Sequence, residues 1–346
     1  MVAIHLENPP KKDVNLNWEE PTSTFSLREI ESKSLKEGEL RVKLNYLSND
    51  PTQRTWMAAN QKESRQYIAP ILKGDIIRSI GLGEVLESRS DKYAKGDVVV
   101  GLMGWASEII VSEAAISAKV DKSLAPELYL SSLGMTGLTA YFGLKNVGQI
   151  KEGQTVLISA ASGATGSMAV QLAKHLFKAS KVIGIAGSAE KVEWVKSLGA
   201  DYCANYREPD YLKKLDEYIG EDYVDIYFDN VGGEQLDFGL THVKRYGRIV
   251  ACGAIAGYND NSKLIVKAWP EIIMNRLNVQ GFIVFDFANE FPQAIGELSA
   301  AVKNGLVKAS EGATVIDIHG DWKAVPKTWF KLFTDEKPKG KLVTKL

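Results

Sequence analysis

The stretch that decides the fold is Thr155-Val156-Leu157-Ile158-Ser159-Ala160-Ala161-Ser162-Gly163-Ala164-Thr165-Gly166, in which a β-branched apolar run passes directly into two closely spaced glycines. The pattern predicts a strand, a phosphate-binding turn and then a helix that begins at about Gly166. Small residues let the backbone approach a pyrophosphate, and the first turn of a helix offers it unpaired N–H groups and the positive end of the helix dipole. Apolar residues recur at helical spacing after the turn: Met168, Ala169, Leu172, Ala173 and Leu176.

The spacing Ala160-x-x-Gly163-x-x-Gly166 has alanine where the usual dinucleotide-binding motif has its first glycine. A tight strand-to-helix turn without a ligand would show a similar pattern. The context favours cofactor binding, because a strand precedes the turn, a helix follows it, and a second apolar run lies at Lys181–Ala186.

The end of this second run predicts which dinucleotide is bound. Enzymes that prefer NAD usually carry Asp or Glu there to bind the ribose 2′-hydroxyl, whereas this chain has Gly187 and Ser188. With no carboxylate to repel a 2′-phosphate, and with Lys191 one turn into the next helix, the site is predicted to accept NADP. A solvated helix lysine is the ordinary alternative for Lys191.

Composition limits the class of protein. The chain has 346 residues, enough for two domains, and 42 Lys and Arg balance 43 Asp and Glu. This balance argues against a nucleic-acid partner. The two cysteines, Cys203 and Cys252, give no disulfide pattern. The N-terminus has no apolar leader and no window approaches about 18 consecutive apolar residues, so we expect a cytoplasmic protein without a membrane span.

Strand-like and helix-like segments alternate in the second half of the chain. This order predicts a doubly wound parallel sheet, or Rossmann domain, whose ligand crevice lies beyond the carboxyl ends of the strands. The turns at 229–233 and 252–255 follow two such strands and should border the crevice. The strand-like runs are 156–159, 182–186, 202–205, 224–228, 248–252 and 279–284.

The first ~125 residues have short apolar runs separated by turns, which predicts a β-rich, barrel-like domain. A helix over 128–144, interrupted by Gly134 and Gly137, is predicted to connect the two halves. Strand-like segments at 314–318 and 342–344 flank an amphipathic stretch at 323–334. We therefore predict a β-rich domain formed by 1–130 and 307–346, and a Rossmann domain formed by 131–306.

Six motifs in this order resemble the medium-chain dehydrogenase/reductase superfamily, and within it the leukotriene B4 dehydrogenase/prostaglandin reductase group, which includes alkenal double-bond reductases. The resemblance spans nearly the whole chain and implies an α/β protein with a GroES-like N-terminal domain. The motifs are Asp50-Pro51-x-x-Arg54, Gly134-Met135-Thr136-Gly137-Leu138-Thr139-Ala140-Tyr141, Ala160-Ala161-Ser162-Gly163-Ala164-Thr165-Gly166, Ala186-Gly187-Ser188-Ala189-Glu190-Lys191, Phe228-Asp229-Asn230-Val231-Gly232-Gly233 and Cys252-Gly253-Ala254-Ile255.

The resemblance implies a set of residues that bind NADPH. Gly187, Lys191 and Tyr206, with Ser188 beside them, would meet the 2′-phosphate. The remaining candidates are the turn residues Ala160, Gly163, Ala164, Thr165 and Gly166, and, toward the nicotinamide, Asn230, Cys252, Gly253, Ile255, Phe282, Ile283 and Val284. Ordinary structural alternatives exist, because Phe282 and Val284 could be core residues, Tyr206 could cap a strand and Asn230 could be a turn asparagine.

Metal ligation is not predicted. Zinc-dependent members of the superfamily bind zinc through Cys and His. Here the two cysteines are distant, and His5, His175, His242 and His319 show no ligand spacing. The resemblance then implies hydride transfer to the β-carbon of an α,β-unsaturated aldehyde or ketone, followed by protonation of the enolate.

Tyr258 aligns with the family tyrosine beside the nicotinamide and is the candidate hydrogen-bond donor to the enolate oxygen; an exposed loop tyrosine is the alternative. Two departures stand out: Thr52 and Gln53 replace a Tyr-Met pair, and Pro338 replaces an asparagine that helps to hold the cofactor. Candidate substrate-pocket residues are Asp50, Thr52, Trp56, Met135 and Thr136.

Three further points stay open at this stage. A quinone reductase is the alternative enzyme, and a non-catalytic nucleotide- or RNA-binding protein is a third reading. The resemblance also implies a homodimer, in which the run 279–284 could pair across a two-fold axis, although an interior strand would show the same pattern.

Overall fold

The structure is a computed structural model that describes residues 1–59 and 62–346. The chain divides into two compact units, Met1–Leu130 with Ala313–Leu346, and Ser131–Gly312. Each unit has its own sheets and its own core.

The first unit is built mainly of antiparallel strands. They are β1 (Val2–Leu6), β2 (Phe25–Glu29), β3 (Glu39–Ser48), β4 (Arg78–Ser88), β5 (Val98–Gly104), β6 (Glu108–Ser112), β7 (Ile116–Lys119), β14 (Ala313–Asp317) and β15 (Lys341–Lys345). The larger sheet has the order β14-β15-β3-β4-β5-β7, with β6 also paired to β3. In β3 the buried residues Leu40, Val42 and Leu44 alternate with more exposed ones, so one face of the strand covers the core.

The core of the first unit centres on three aromatic side chains. The Trp105 ring centroid lies 5.5 Å from that of Phe25 and 6.0 Å from that of Trp329. Trp329 comes from helix α9 (Ala324–Phe330), whereas a short helix, α1 (Gln53–Trp56), follows β3. The C-terminal segment is therefore part of the β-rich unit.

The second unit is a six-stranded parallel sheet with helices between the strands. The strands are β8 (Thr155–Ile158), β9 (Lys181–Ala186), β10 (Tyr202–Asn205), β11 (Val224–Asp229), β12 (Val243–Ala251) and β13 (Asn278–Gly281). The helices are α2 (Met135–Phe142), α3 (Ala164–Gln171), α4 (Ala189–Ser197), α5 (Tyr211–Ile219), α6 (Gly233–His242), α7 (Trp269–Met274) and α8 (Phe291–Lys303).

The strand order β10-β9-β8-β11-β12-β13 confirms the doubly wound fold. From β8 the chain adds β9 and β10 on one side of the sheet, and it then crosses over to add β11, β12 and β13 on the other side. Ligands of such sheets bind at the switch point between β8 and β11, beyond the carboxyl ends of the strands. β8 lies at the centre of the sheet, where Val156, Leu157 and Ile158 are fully buried. An uninterrupted apolar run suits this position, because helices cover both faces of a parallel sheet.

The predicted last strand, 279–284, is wrong in its second half. β13 ends at Gly281, and a 3-10 helix follows at Val284–Glu290. The backbone N–H of Ile283 donates to Asp286 Oδ2 at 3.2 Å, and the N–H of Asp286 returns a bond to the Ile283 carbonyl at 2.9 Å. This reciprocal pair closes a turn and ends the extended backbone.

The predicted connecting helix over 128–144 is also wrong in its first half. Residues Pro126–Leu130 form a 3-10 helix, and α2 begins only at Met135 with Gly134 as its N-cap. The Ser131 carbonyl accepts the N–H groups of Gly134 at 3.1 Å and Gly137 at 3.2 Å, which folds the chain into a turn before the helix starts.

The return to the first unit comes at Ala313 and not at 307. Val307 and Ala309 are buried. Both the backbone and the side chain of Lys308 form hydrogen bonds with the second unit. Its backbone N–H donates to Gln171 Oε1 at 2.7 Å, and its Nζ donates to the Ser197 carbonyl at 2.8 Å. These bonds fix the segment on helices α3 and α4.

Candidate active site

The glycine turn after β8 depends on an alanine in a glycine-like conformation. Ala160 has φ +46°, a left-handed conformation that costs a non-glycine residue about 1 kcal/mol. Its carbonyl accepts the N–H of Gly163 at 2.8 Å. A Cβ added to Gly166 would lie 2.2 Å from the same oxygen. Ala160 thus makes the tight turn that the first glycine of the motif usually makes, and Gly166 admits no side chain.

Helix α3 begins at Ala164, two residues before the predicted start at Gly166. Gly163 is the N-cap and has no side chain to occupy the first-turn N–H groups. The backbone N–H groups of Ala164, Thr165 and Gly166 lie in that first turn, where a helix leaves its donors without intrahelical partners. The turn therefore forms a site of the kind that binds a pyrophosphate.

The residues predicted to meet a 2′-phosphate lie together at the start of α4. Ser188 is the N-cap, and its Oγ accepts the N–H of Lys191 at 3.3 Å. Tyr206 follows β10, and its ring and hydroxyl lie 2.7 Å from the position of a Cβ added to Gly187. The close approach of Tyr206 requires glycine at 187, and no carboxylate stands at the end of β9.

A polar network joins the carboxyl ends of β8 and β11 at the switch point. Asn230 donates its backbone N–H to Ser159 Oγ at 2.7 Å and its Nδ2 to the Ser159 carbonyl at 2.8 Å. The buried Asp229 carboxyl accepts from Ser159 Oγ at 3.0 Å. Asn230 is therefore a turn residue whose side chain is fixed by the neighbouring strand, as its structural alternative predicted, and it lies where the cofactor is expected.

The turn after β12 carries the remaining residues of this group. The N–H groups of Cys252 and Gly253 donate to the Asp229 carbonyl at 2.8 and 3.1 Å, and the N–H of Ile255 donates to the Asn230 carbonyl at 3.3 Å. Burial, and the nearby Asp229 carboxyl, raise the pKa of the Cys252 thiol to about 12. The thiol is therefore protonated at neutral pH and is a poor nucleophile.

Tyr258 lies over this turn and is partly buried, in contrast to the exposed loop tyrosine that was its alternative. Its hydroxyl is 3.4 Å from the position of a Cβ added to Gly253 and 3.5 Å from the Ala254 nitrogen. The 3-10 helix Ile255–Gly257, which follows the turn, positions the ring. The phenol is thus at the carboxyl end of β12, one strand from Asn230.

Phe282, Ile283 and Val284 are all partly buried just beyond β13. The Phe282 ring packs near Gly143, where its Cζ would be 3.0 Å from an added Cβ. Phe282 therefore has a packing role inside the second unit, and its contact with a nicotinamide stays a prediction.

In the first unit, the Asp50 carboxylate is bound within the protein. Lys341 is 1% exposed, forms an ion pair with Asp50 and donates to the Asn49 carbonyl at 3.1 Å. Ser48 Oγ also donates to this carboxylate. Trp329 Nε1 donates to the Asp50 carbonyl at 3.0 Å. These bonds give Asp50 a structural role; substrate contact stays a prediction.

A tyrosine that sequence reasoning missed joins Thr52 and Trp56. Trp56 Nε1 donates to the Tyr67 hydroxyl at 2.7 Å, and Thr52 Oγ1 lies 2.8 Å from the same oxygen. The Tyr67 side chain is 44% exposed. Tyr67 thus places an aromatic ring beside Thr52 and Trp56. No periodicity or motif around Tyr67 signals this contact.

Met135 and Thr136 begin helix α2 in the second unit. Thr136 is buried, and its Oγ1 donates to the Ser131 carbonyl at 3.1 Å. Met135 is partly buried. The Thr136 hydroxyl is therefore used in fixing the helix start, which leaves Met135 as the more accessible of the two candidates.

Comparison with known proteins decides the family. Residues 18–120 match the family described as N-terminal domain of oxidoreductase, and residues 164–300 match the family described as zinc-binding dehydrogenase. Prostaglandin reductase 1 of Bos taurus is 39% identical over 304 residues, 84% of this chain and 86% of that protein. The chain belongs to the medium-chain dehydrogenase/reductase family, of the prostaglandin and alkenal reductase type.

Two further proteins are similar to this chain over most of their length. An uncharacterized membrane protein of Saccharomyces cerevisiae is 40% identical over 97% of this chain and 95% of that protein. The NADP-dependent 2-alkenal reductase of Nicotiana tabacum is 39% identical over 77% of both chains. Within the described residues, none of the helices combines the length and the apolar character that a membrane crossing needs.

Solved structures show the same fold. CurA from Vibrio vulnificus in complex with NADPH superposes with a TM-score of 0.86 at 28% identity, covering 100% of this chain and 99% of that chain. Escherichia coli quinone oxidoreductase complexed with NADPH has a TM-score of 0.77 at 20% identity, with full coverage of both chains.

The side chains that the structure describes do not fit a zinc ion. Across residues 1–59 and 62–346, no group of three His, Cys, Asp or Glu side chains could hold a metal. His175 Nε2 is bonded to the Leu198 carbonyl at 3.0 Å.

Proposed function

We propose that the chain is an NADPH-dependent reductase of the carbon–carbon double bond of α,β-unsaturated aldehydes and ketones, acting without a metal. The observation that carries the proposal is the Tyr258 phenol, which lies over the turn after β12, one strand from the switch point. The names of the similar prostaglandin and 2-alkenal reductases support the same reaction class.

NADP(H) is the cofactor, and residues of the second unit fit it. The first-turn N–H groups of α3 would bind the pyrophosphate, and Ser188, Lys191 and Tyr206 would hold the 2′-phosphate. When bound, NADPH supplies a hydride to the β-carbon of the substrate. Asn230 and the turn at 252–255 would border its nicotinamide end.

Tyr258 supplies the hydrogen bond that the reaction needs. Hydride addition to the β-carbon places negative charge on the carbonyl oxygen, and a fixed hydroxyl group can stabilise that charge before the enolate is protonated. The roles of Asp50, Thr52, Trp56, Met135 and Thr136 in substrate binding stay predictions from the family resemblance.

Purified protein incubated with NADPH and a medium-chain 2-alkenal tests the proposal. We expect the saturated aldehyde as product, identified by mass spectrometry, with NADPH consumed in equal amount. The allylic alcohol as product would contradict the regiochemistry. A quinone in a parallel reaction tests the alternative, since faster turnover of the quinone would favour a quinone reductase.

Replacing Ser188 by Asp tests the 2′-phosphate site. Aspartate retains the N-cap of α4 but places a negative charge beside the phosphate, so we expect NADPH to bind about 30- to 100-fold more weakly while NADH binding changes little. Dissociation constants for both cofactors measure this. Ser188→Asn is the matched control, because it keeps the cap without the charge. An equal loss of NADPH binding in both variants would contradict the electrostatic argument.

We also propose a homodimer through the edge of the parallel sheet. β13 is the last strand in the order, and all four of its residues are exposed. Val279 of β13 is 43% exposed, and large apolar side chains of the preceding helix α7 are exposed as well: Trp269 at 63%, Met274 at 65% and Ile273 at 66%. An unpaired edge with such neighbours is suited to pairing with a second copy across a two-fold axis.

Light scattering coupled to size exclusion tests the dimer. We expect the native protein to elute as a dimer at micromolar concentration and Val279→Lys to shift it to a monomer. Val315→Lys is the control, because Val315 is 40% exposed on β14, the edge of the other sheet. A native monomer, or equal effects of both variants, would refute the assignment. The cytoplasmic location expected from the sequence stays a prediction.

A further inference from the structure

We propose that the buried carboxylate of Asp229 favours oxidised over reduced cofactor at the nicotinamide site, and so makes bound NADPH a stronger hydride donor. The inference rests on the proposed function, because it requires the nicotinamide to lie at the carboxyl ends of β8, β11 and β12. Asp229 has no role in that function as argued above. Its proposed effect on the cofactor is electrostatic and needs no direct contact.

The geometry holds the carboxylate tightly at the switch point. Asp229 is 2% exposed. Its Oδ1 accepts from Tyr227 Oη at 2.8 Å, Ser159 Oγ at 3.0 Å and the Val231 N–H at 3.0 Å. The Gly232 N–H donates to Oδ1 at 3.1 Å and to Oδ2 at 3.0 Å. Backbone N–H groups can only donate, so these bonds favour the ionised form of a group whose pKa burial raises.

The named donors are all neutral, so they solvate the negative charge without cancelling it. The field of Asp229 reaches the end of the next strand, where it helps to raise the pKa of the Cys252 thiol. Its backbone carbonyl also binds the N–H groups of Cys252 and Gly253. The charge therefore lies under the turn that carries the proposed nicotinamide contacts.

The charge distinguishes the two cofactor states. The oxidised nicotinamide ring is positively charged and the reduced ring is neutral, so a buried anion attracts only the oxidised form. In a protein interior such an interaction is screened far less than in water. Preferential binding of NADP+ lowers the potential of the bound couple, which favours hydride transfer to the substrate.

The test compares dissociation constants of NADP+ and NADPH for native protein, Asp229→Asn and Ser159→Ala. We expect Asp229→Asn to weaken NADP+ binding about tenfold more than NADPH binding. Ser159→Ala removes one neutral donor and keeps the charge, so its ratio of the two constants should stay within about twofold of native. An unchanged ratio in Asp229→Asn would overturn the inference.

Tyr227→Phe keeps the test open if Asp229→Asn does not fold. It removes a neutral donor and keeps the negative charge, so, as with Ser159→Ala, we expect the ratio of the two dissociation constants to stay within about twofold of native. A tenfold loss of the preference for NADP+ with the carboxylate still in place would overturn the inference, because the preference would then come from the hydroxyl and not from the charge. If the native protein binds neither cofactor, the proposed function fails and this inference with it, which is distinguishable from binding with an unaltered ratio.

Discussion

Tyr258→Phe is expected to lower kcat for 2-alkenal reduction by about two to three orders of magnitude, the usual cost of removing one donor from a site of developing negative charge. The phenylalanine ring keeps the packing over Gly253 and Ala254, and only the hydroxyl is lost. Because this donor acts when charge develops on the substrate oxygen, the loss should fall on kcat and not on the dissociation constant of NADPH.

Steady-state kinetics with one alkenal, together with NADPH titration, measure this result. Tyr246→Phe is the control, since Tyr246 is 68% exposed on β12, within the same unit. Native kcat in Tyr258→Phe would remove the tyrosine from the mechanism. A rise in KM alone would assign it to substrate binding.

Much of the parallel sheet could be predicted from local sequence, because its central strands are covered on both faces. Leu157, Ile183 and Ile185 are fully buried, and such strands appear in the sequence as continuous apolar runs. The edge strand β13 has no buried residue, so burial does not set where it ends. The apolar residues Phe282 and Val284 continue the run beyond Gly281, and the strand was therefore predicted to be too long.

Turn geometry explains why the start of α3 was predicted too late. Residues 164–166 carry no helical periodicity of their own, because Ala, Thr and Gly are small. Their conformation follows from the positive φ of Ala160 and from the bond between its carbonyl and Gly163. A motif indicates such a turn, but only the backbone shows where the helix begins.

That Gly187, Ser188 and Lys191 lie together was predictable, because they are neighbours in sequence at the start of one helix; their contact with a 2′-phosphate stays a prediction. The Tyr67 contact and the Asp50–Lys341 pair were not predictable, since the first joins residues 15 apart and the second residues 291 apart. Polar side chains at such separations show no spacing pattern, and only the folded chain brings them together.

The burial of Lys341 predicts the largest effect on stability. Lys341→Met should lower the free energy of unfolding of the first unit by about 3–5 kcal/mol, because it leaves the Asp50 carboxylate without its cation inside the protein. The change in side-chain volume is small, so lost packing contributes little. Five of the seven tryptophans, Trp329 among them, lie in the first unit, so tryptophan fluorescence reports mainly on this unit.

Urea unfolding followed by tryptophan fluorescence measures the effect, and two controls separate charge from general damage. Lys345→Met lies on the same strand, but Lys345 pairs with Asp317 at 2.9 Å with half of its side chain exposed, so its unfolding midpoint should stay near native. In Asp50→Asn/Lys341→Met no buried charge is left unpaired, so the double variant should be more stable than Lys341→Met alone. A double variant no more stable than Lys341→Met would show that the uncompensated carboxylate does not cause the loss of stability, which would then arise from the lost bond between Lys341 and the Asn49 carbonyl.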